Sequence, residues 1–197
     1  MRFEIFKFET VKSTNDEAIK IIKSDKTEFG YVYSKLQRKG RGTRGRKWIS
    51  DKGNLFGSIF FPLKKNFPPF NEFLIINSII ISEVIKYFGK NVRVNLKYPN
   101  DIFVNNKKIC GILQEVITSN NKKFLITGIG INVISSPKII EKYETTCISL
   151  YSEKKLKAEQ IIDFIIASYE KFFTNLSSYN YMKFKKKADL MSLKHSK

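Results

Sequence analysis

The segment Gln37–Trp48, QRKGRGTRGRKW, is the stretch around which the rest of the sequence is organised. It holds four of the six arginines of a chain with thirty lysines, three of the ten glycines and the only tryptophan. Glycine lets a backbone approach a ligand closely, and the planar guanidinium group of arginine grips phosphate or carboxylate with two parallel hydrogen bonds. The aromatic plane of Trp48 can stack on a base. The segment therefore predicts a loop that wraps an anion.

The composition predicts one globular domain, with or without a small appendage. The 197 residues are 42% hydrophobic and 14% aromatic, which is enough to bury a core. The formal charge of +18 permits a nucleic acid or an acidic protein as partner, but lysines spread along the chain supply most of it, so charge alone decides little. Cys110 and Cys147 lack the spacing of metal or disulfide motifs, which predicts a reducing, cytoplasmic compartment.

Several classes of protein are excluded by what the sequence lacks. His195 is the only histidine, so a histidine-based catalytic triad and a His/Cys metal cluster are excluded. The N-terminal MRFEIFKFET is charged throughout and has no apolar core of the signal-peptide kind. The most apolar run, Phe73–Ile85, is too short and too polar to span a membrane. We therefore expect no membrane association.

The spacing of apolar residues predicts an α+β fold: a mixed, mostly antiparallel sheet with flanking helices. Ser13 or Thr14 is expected to cap a helix that follows it, with the acidic Asp16 or Glu17 in its first turn. The further predicted helices are 71–88, 157–176 and 179–193, and the predicted strands are 3–8, 31–36, 54–61, 92–96, 102–104, 108–117 and 124–133.

Gly40-x-Gly42-x-x-Gly45 formally matches the fingerprint of dinucleotide-binding folds. Two arginines lie inside it, the sequence predicts no helix directly after it, and no acidic residue stands about 20 positions further on. The match is therefore set aside.

Four other polar motifs are weak when taken singly. Ser13-Thr14-Asn15 is explained by an ordinary helix cap, and Lys97–Asp101 (KYPND) by a surface turn. Lys108 begins an apolar strand, where a lysine is usually solvated, and Gly128–Asn132 (GIGIN) suits a strand packed tightly against a helix. Each could instead contribute polar groups to one site, and Asp101 could hold Mg²⁺ beside a phosphate.

In their order and spacing, these motifs closely resemble those of the biotin–protein ligases. The family pattern runs Ser-Thr-Asn, GRGxxGRxW, K-aromatic-PND, K-aliphatic-x-GIL-x-E and GxGxN. The matching segments are 13–15, 40–48, 97–101, 108–115 and 128–132, so that the resemblance covers residues 1–175.

The resemblance implies a fold shared with class II aminoacyl-tRNA synthetases, the biotin-synthetase type of α+β fold. It also implies a reaction in two steps. Biotin and ATP, with Mg²⁺, form biotinyl-5′-AMP, and biotin then passes to one lysine of a biotin carboxyl-carrier protein, such as the carrier domain of acetyl-CoA carboxylase. No histidine base is required, because the biotin carboxylate is already a nucleophile.

The resemblance further implies a role for each motif residue. Arg41 and Lys108 are the candidate catalytic residues, at the junction of carboxylate and phosphate, and Asp101 is a tentative metal ligand. The candidate nucleotide-binding residues are Arg44, Arg46, Trp48, Asn100 and Asn132, with Trp48 stacking on adenine and Asn132 reading its edge. The candidate biotin-binding residues are Ser13, Thr14, Asn15, Gln37, Gly40, Arg41, Gly42, Thr43, Lys108, Gly111, Leu113 and Gly128.

The chain also departs from the family pattern. Thr43 stands where the family commonly has a third arginine, which weakens one cationic grip on the adenylate, and Tyr98 replaces the usual tryptophan. No DNA-binding helix-turn-helix precedes Phe3, so we expect no repressor function and no specific DNA partner. We expect residues 1–176 to form the catalytic domain and 177–197 a short tail in place of the family's C-terminal β-barrel.

Two alternatives are retained. A lipoate- or octanoate-transferring relative shares the fold, but its substrate has no ureido ring to engage Ser13-Thr14-Asn15 and Gln37. A nucleic-acid-binding protein would use the basic segment 38–47, but it gives no reason for KYPND or GIGIN.

Overall fold

The computed structural model describes residues 1–137, 139–140 and 143–193, with the backbone alone at 139–140; His195 lies outside these ranges. Its main feature is a seven-stranded sheet of order β1-β2-β3-β7-β6-β5-β4. Within this sheet β1 and β2 pair in parallel, and the other neighbouring strands pair antiparallel. The strands are β1 Glu4–Phe8, β2 Gly30–Ser34, β3 Leu55–Pro62, β4 Val94–Lys97, β5 Asp101–Val104, β6 Lys107–Ser119 and β7 Lys122–Ile131. A separate two-stranded sheet pairs β8 Ile139–Ile140 with β9 Tyr143–Glu144.

Helices cover both faces of the sheet. The helices are α1 Thr14–Lys23, α2 Phe73–Phe88, α3 Ala158–Thr174 and α4 Tyr181–Met191, with short 3₁₀ turns at Thr43–Gly45, Phe70–Glu72, Ile148–Tyr151 and Leu176–Ser178. The large core lies between the sheet and α2 and α3, and a smaller cluster joins α1 to the opposite face. Strand alternation supplies both cores: Tyr31 and Tyr33 of β2 belong to the first, and Val32 between them belongs to the second.

The predicted α+β class and the mostly antiparallel sheet are confirmed, and the differences lie at the ends of elements. The strand predicted at 31–36 is 30–34, and the helix predicted at 71–88 begins at Phe73, after a 3₁₀ turn. The short pair β8 and β9 was not predicted, because two-residue strands carry too little periodicity to be recognised.

Ser13 occupies the N-cap position of α1, as predicted, but its side chain does not cap the helix. The Thr14 amide instead donates to the side-chain carbonyl of Gln37, at 2.9 Å. The helix terminus is therefore held by a residue from the basic loop, and the Ser13 side chain lies at a cavity on the same face of the sheet.

The tail predicted at 177–197 contains α4. Met191 accepts a hydrogen bond from the Asn95 side chain, and Leu193 donates to the Leu96 carbonyl at 2.9 Å, so the segment after α4 pairs with the edge strand β4. An edge strand exposes unpaired backbone groups, and this contact covers some of those on β4. The division at residue 176 stays a prediction.

Within the described residues, no helix combines the length and the apolar character needed to cross a bilayer.

We expect Phe61→Ala to lower the free energy of unfolding by about 3–5 kcal/mol, because the fully buried ring packs between Phe73 and Phe173, with centroids 5.2 and 4.8 Å away. Urea denaturation followed by circular dichroism measures the loss. Leu190→Ala is the control, since Leu190 is 79% exposed and should change stability little. Equal losses in the two variants would contradict this account of the core.

Candidate active site

A cavity of about 60 Å³ opens on the α1 face of the sheet, between the start of α1, the basic loop 37–48 and the middle of β6 and β7. Two residues of its wall, Ile112 and Ile129, also belong to the large core. The residues that line it are Ser13, Thr14, Asn15, Gln37, Arg41, Gly42, Thr43, Arg46, Lys47, Trp48, Asn100, Asp101, Lys108, Gly111, Ile112, Leu113, Gly128, Ile129 and Gly130.

The cavity wall includes every predicted site residue except Gly40, Arg44 and Asn132. The sequence prediction missed Lys47, Ile112, Ile129 and Gly130 on this wall. The unfilled space of about 60 Å³ is small beside the about 300–1,000 Å³ of pockets that hold drug-sized ligands.

Thr14 and Asn15 are buried, and hydrogen bonds to neighbouring residues hold the Thr14 hydroxyl and the Asn15 side-chain amide in place. The Thr14 hydroxyl donates to the Gln37 side chain at 3.2 Å, and the buried Ser58 hydroxyl lies within hydrogen-bonding distance of both Thr14 and Asn15. Gly128 leaves room for this arrangement, since a Cβ there would stand 2.4 Å from the Asn15 side-chain oxygen. Among the described contacts, the Ser13 side chain makes no cap hydrogen bond and lines the cavity.

Arg41 forms the most elaborate ion pair of the site. Its two terminal nitrogens bind the two carboxylate oxygens of Glu115 at 2.8 and 2.6 Å, and Asp16 lies 3.0 Å from one of them. The hydrogen bond with Glu115 raises the pKa of the Arg41 guanidinium, so that the group stays charged. Neither acid was among the predicted site residues, although Glu115 closes the motif that begins at Lys108. The signal in the sequence was the acid that ends the segment 108–115, since an arginine of the same site needs a carboxylate partner.

Lys108 is the second cation of the wall, and its side chain is only 10% exposed. Its ammonium group binds a carboxylate oxygen of Asp101 at 2.8 Å and lies 5.7 Å from the centroid of the Trp48 ring. A buried lysine is costly unless it is paired, and Asp101 provides the pairing. This burial argues against an ordinary solvated lysine and agrees with the prediction that Lys108 belongs to the site.

Trp48 packs flat against two glycines that face each other across β6 and β7. Gly111 pairs with Gly130 in register, and a Cβ at either position would approach the indole to 2.7 or 2.5 Å. The indole nitrogen is buried and has no hydrogen-bond partner among the described residues. Gly111 was predicted to shape a biotin slot, but in this conformation it accommodates the tryptophan instead.

Asn100 fixes the turn that carries Asp101. Its side-chain amide donates to the Ile112 carbonyl at 2.8 Å, and its own carbonyl accepts the Ile112 amide at 2.8 Å. This double contact ties the KYPND turn to β6. Arg46 similarly shapes the loop, since its guanidinium binds both the carbonyl and the hydroxyl of Thr43.

Three predicted site residues are placed away from the cavity wall. Gly40 is buried under Trp48, where a Cβ would lie 2.5 Å from the Trp48 carbonyl. Arg44 is exposed in a left-handed backbone conformation with φ of 56°. Asn132 is buried, and its amide donates to the Thr146 carbonyl at 3.0 Å. In this conformation Gly40 and Asn132 serve packing, and neither Arg44 nor Asn132 presents its side chain to the cavity.

The described residues do not form a metal site by themselves. They include no group of three or more acidic, cysteine or histidine side chains placed to hold an ion. Asp101 is the one predicted ligand, and the ammonium of Lys108 at 2.8 Å opposes a dication there.

The sequence matches the model of the Biotin/lipoate A/B protein ligase family over residues 7–132. The chain belongs to this family. The resemblance read from the motifs and the fold expected from it are thereby confirmed.

Relatives of this ligase family are similar over most of the chain. A biotin–[acetyl-CoA-carboxylase] ligase of Paracoccus denitrificans is 25% identical over 175 residues, which cover 86% of this chain and 72% of the relative. The bifunctional ligase/repressor of Escherichia coli is 33% identical over 102 residues, covering 51% of this chain, and the match spans only 32% of that protein's length.

A biotin protein ligase from Leishmania major in complex with biotinyl-5-AMP superposes with a TM-score of 0.81 and 27% identity. This match covers 98% of this chain and 84% of the other. The biotin protein ligase from Aquifex aeolicus in complex with biotin and ATP superposes with a TM-score of 0.77 and 26% identity. This match covers 96% of this chain and 78% of the other.

We expect Gly130→Ala to displace Trp48 from the sheet, because the new methyl group would overlap the indole. The protein has one tryptophan, so its emission maximum and its quenching by acrylamide report on this residue alone. The emission should shift to longer wavelength and quenching should increase. Gly42→Ala is the control, since its nearest contact would be an ordinary 3.5 Å. Unchanged emission in Gly130→Ala would contradict the packing described here.

Proposed function

We propose that this protein is an ATP-dependent biotin–protein ligase. The observation that carries the proposal is the meeting, on one cavity wall, of a fixed hydroxyl and amide group at residues 13–15 with two cations, Arg41 and Lys108. The first set suits a neutral polar ring, and the second suits a carboxylate that must approach a phosphate.

In the first step, a carboxylate oxygen of biotin attacks the α-phosphorus of ATP, and pyrophosphate leaves. Both reactants are anions, so the cations of Arg41 and Lys108 offset their repulsion and stabilise the charge that builds up in the transition state. Trp48 would stack on the adenine through the ring face turned away from Gly111 and Gly130. Arg46 would bind the polyphosphate of ATP, and Asn100 would hold in place the turn that carries Asp101.

In the second step, a lysine amine of the acceptor attacks the acyl carbonyl of biotinyl-5′-AMP. AMP leaves and the nitrogen loses a proton, which gives an amide. We propose that the acceptor is a biotin carboxyl-carrier protein, as the name of the Paracoccus relative suggests. Both cysteines are free and buried, which supports a reducing, cytoplasmic location. Magnesium would arrive on the phosphates of ATP, because the Asp101 carboxylate is already paired with Lys108.

The nucleic-acid alternative loses part of its basis in the structure. Arg41, the second of the loop arginines, is neutralised by Glu115 and Asp16 and faces the cavity. Lipoate remains the comparison substrate, because the family description covers lipoate ligases as well.

We expect biotin to stimulate the exchange of labelled pyrophosphate into ATP by the purified protein, because adenylate formation is reversible. Lipoate and octanoate at the same concentrations are the comparison. Exchange with lipoate and none with biotin would overturn the assignment in favour of the lipoate branch. Salt-dependent binding of arbitrary nucleic acid, without any pyrophosphate exchange, would favour the nucleic-acid-binding alternative.

We expect Arg41→Ala and Lys108→Ala each to lower the rate of biotin-dependent exchange by roughly 10²–10³-fold, the typical loss for one stabilising donor. Matched controls are Lys107→Ala and Arg93→Ala, which remove exposed cations of the same types. Circular dichroism and melting temperature establish folding in all four. An unchanged rate in Arg41→Ala and Lys108→Ala would remove these residues from the catalytic set.

A further inference from the structure

Glu115 connects the two halves of the candidate site. On β6 its side chain is 27% exposed, and its two oxygens hold both terminal nitrogens of Arg41, at 2.8 and 2.6 Å. The oxygen nearer to Arg41 also accepts the side-chain amide of Asn15, at 2.7 Å. One carboxylate therefore fixes a residue of the hydroxyl and amide group and a residue of the cationic group at the same time.

We propose that Glu115 is a positioning residue of this ligase: it sets the direction of the Arg41 guanidinium relative to the Asn15 amide. The inference rests on the proposed function. Arg41 lies in a loop and has a long, flexible side chain, so an unrestrained guanidinium would sample many orientations. A bidentate bond to a strand residue confines it, and correct orientation before reaction lowers the barrier.

The free donors of Arg41 are compatible with this role. A guanidinium has five N–H groups. Within the described residues, the hydrogen bonds to Glu115 take two of them, one on each terminal nitrogen, and Asp16 lies 3.0 Å from one of these nitrogens. The N–H of Nε and the second N–H of the other terminal nitrogen lie on opposite edges of the guanidinium, so either can donate a hydrogen bond to a ligand while the clamp stays in place.

Glu115 could either stay bound to Arg41 during the reaction or be displaced from it by the substrate. Its contact with Asn15 favours the first of these. Asn15 is 2% exposed, and without Glu115 its amide nitrogen would keep only a 3.4 Å contact with the Leu113 carbonyl. Leaving a buried donor without a partner is costly, so Glu115 is expected to stay in place when ligand binds. Asp16 makes only a single contact with Arg41, at 3.0 Å, and is the weaker restraint.

The test compares Glu115→Gln, Glu115→Asp and the control Glu153→Gln, which disrupts an exposed Lys90 pair elsewhere. In Glu115→Gln an amide N–H would face the donors of Arg41 and Asn15. We expect its KM for biotin in pyrophosphate exchange to rise and its kcat to fall, with kcat/KM at least 10-fold lower. Glu115→Asp should show a smaller loss of kcat/KM than Glu115→Gln, and Glu153→Gln should have the kcat/KM of the wild type. A lower KM, or a fall in kcat alone with unchanged KM, would overturn the proposal.

A double-mutant cycle tests whether Glu115 acts through Arg41. In an Arg41→Ala background, Glu115→Gln should lower kcat at most slightly further, because its main partner is already gone. Full additivity would overturn the proposal. Nitrogen-15 spectra of the arginine side chains provide a readout independent of activity: slow rotation of the Arg41 guanidinium should be seen in wild type and lost in Glu115→Gln. A wild type silent in exchange would refute the proposed function, while free rotation of Arg41 in wild type would refute the clamp.

Discussion

The pairing of β6 with β7 is the constraint on which the rest of the site depends. Its register places Gly111 opposite Gly130 and Leu113 opposite Gly128, so that two pairs with glycine form the floor under Trp48 and Asn15. Glu115 follows on the same face, because side chains two residues apart on a strand point the same way. A slip of one residue would turn these side chains to the other face of the sheet, away from the cavity. The glycines, the tryptophan and the acid therefore form one structural unit.

The site balances its cations with acids held close to them. Lys108 pairs with Asp101, and Arg41 pairs with Glu115 and Asp16, so each of these two cations is compensated by a neighbouring carboxylate. The same arrangement explains how a chain with a formal charge of +18 can carry a selective small-molecule site. The excess positive charge lies mainly on lysines elsewhere. At the cavity, the two candidate catalytic cations, Arg41 and Lys108, are each oriented by a specific carboxylate.

Much of the architecture could be predicted from the sequence, because it depends on periodicity. The apolar runs of β2 and β7 and the long apolar faces of α2 and α3 identify these elements, and their ends differ from the prediction by at most two residues. The wall of the cavity was also largely predictable, since its members fall in short motifs with fixed order. Three members of those motifs, Gly40, Arg44 and Asn132, were assigned to ligand binding from the same motifs but do not line the cavity. Motif membership cannot distinguish a residue that touches a ligand from one that holds its neighbour.

The sequence by itself determined which chemical groups the site contains: a hydroxyl and amide cluster, an arginine-rich loop with one tryptophan, and a lysine at the start of a strand. Those groups are fixed by composition and order along the chain. Only the tertiary structure decided which groups meet. Asn15 and Arg41 both donate hydrogen bonds to the carboxylate of Glu115, although Asn15 lies 100 positions from it in the sequence. Ion pairs of this kind depend on strand register and on loop closure, and neither is encoded in local pattern, because both arise from pairing between distant segments.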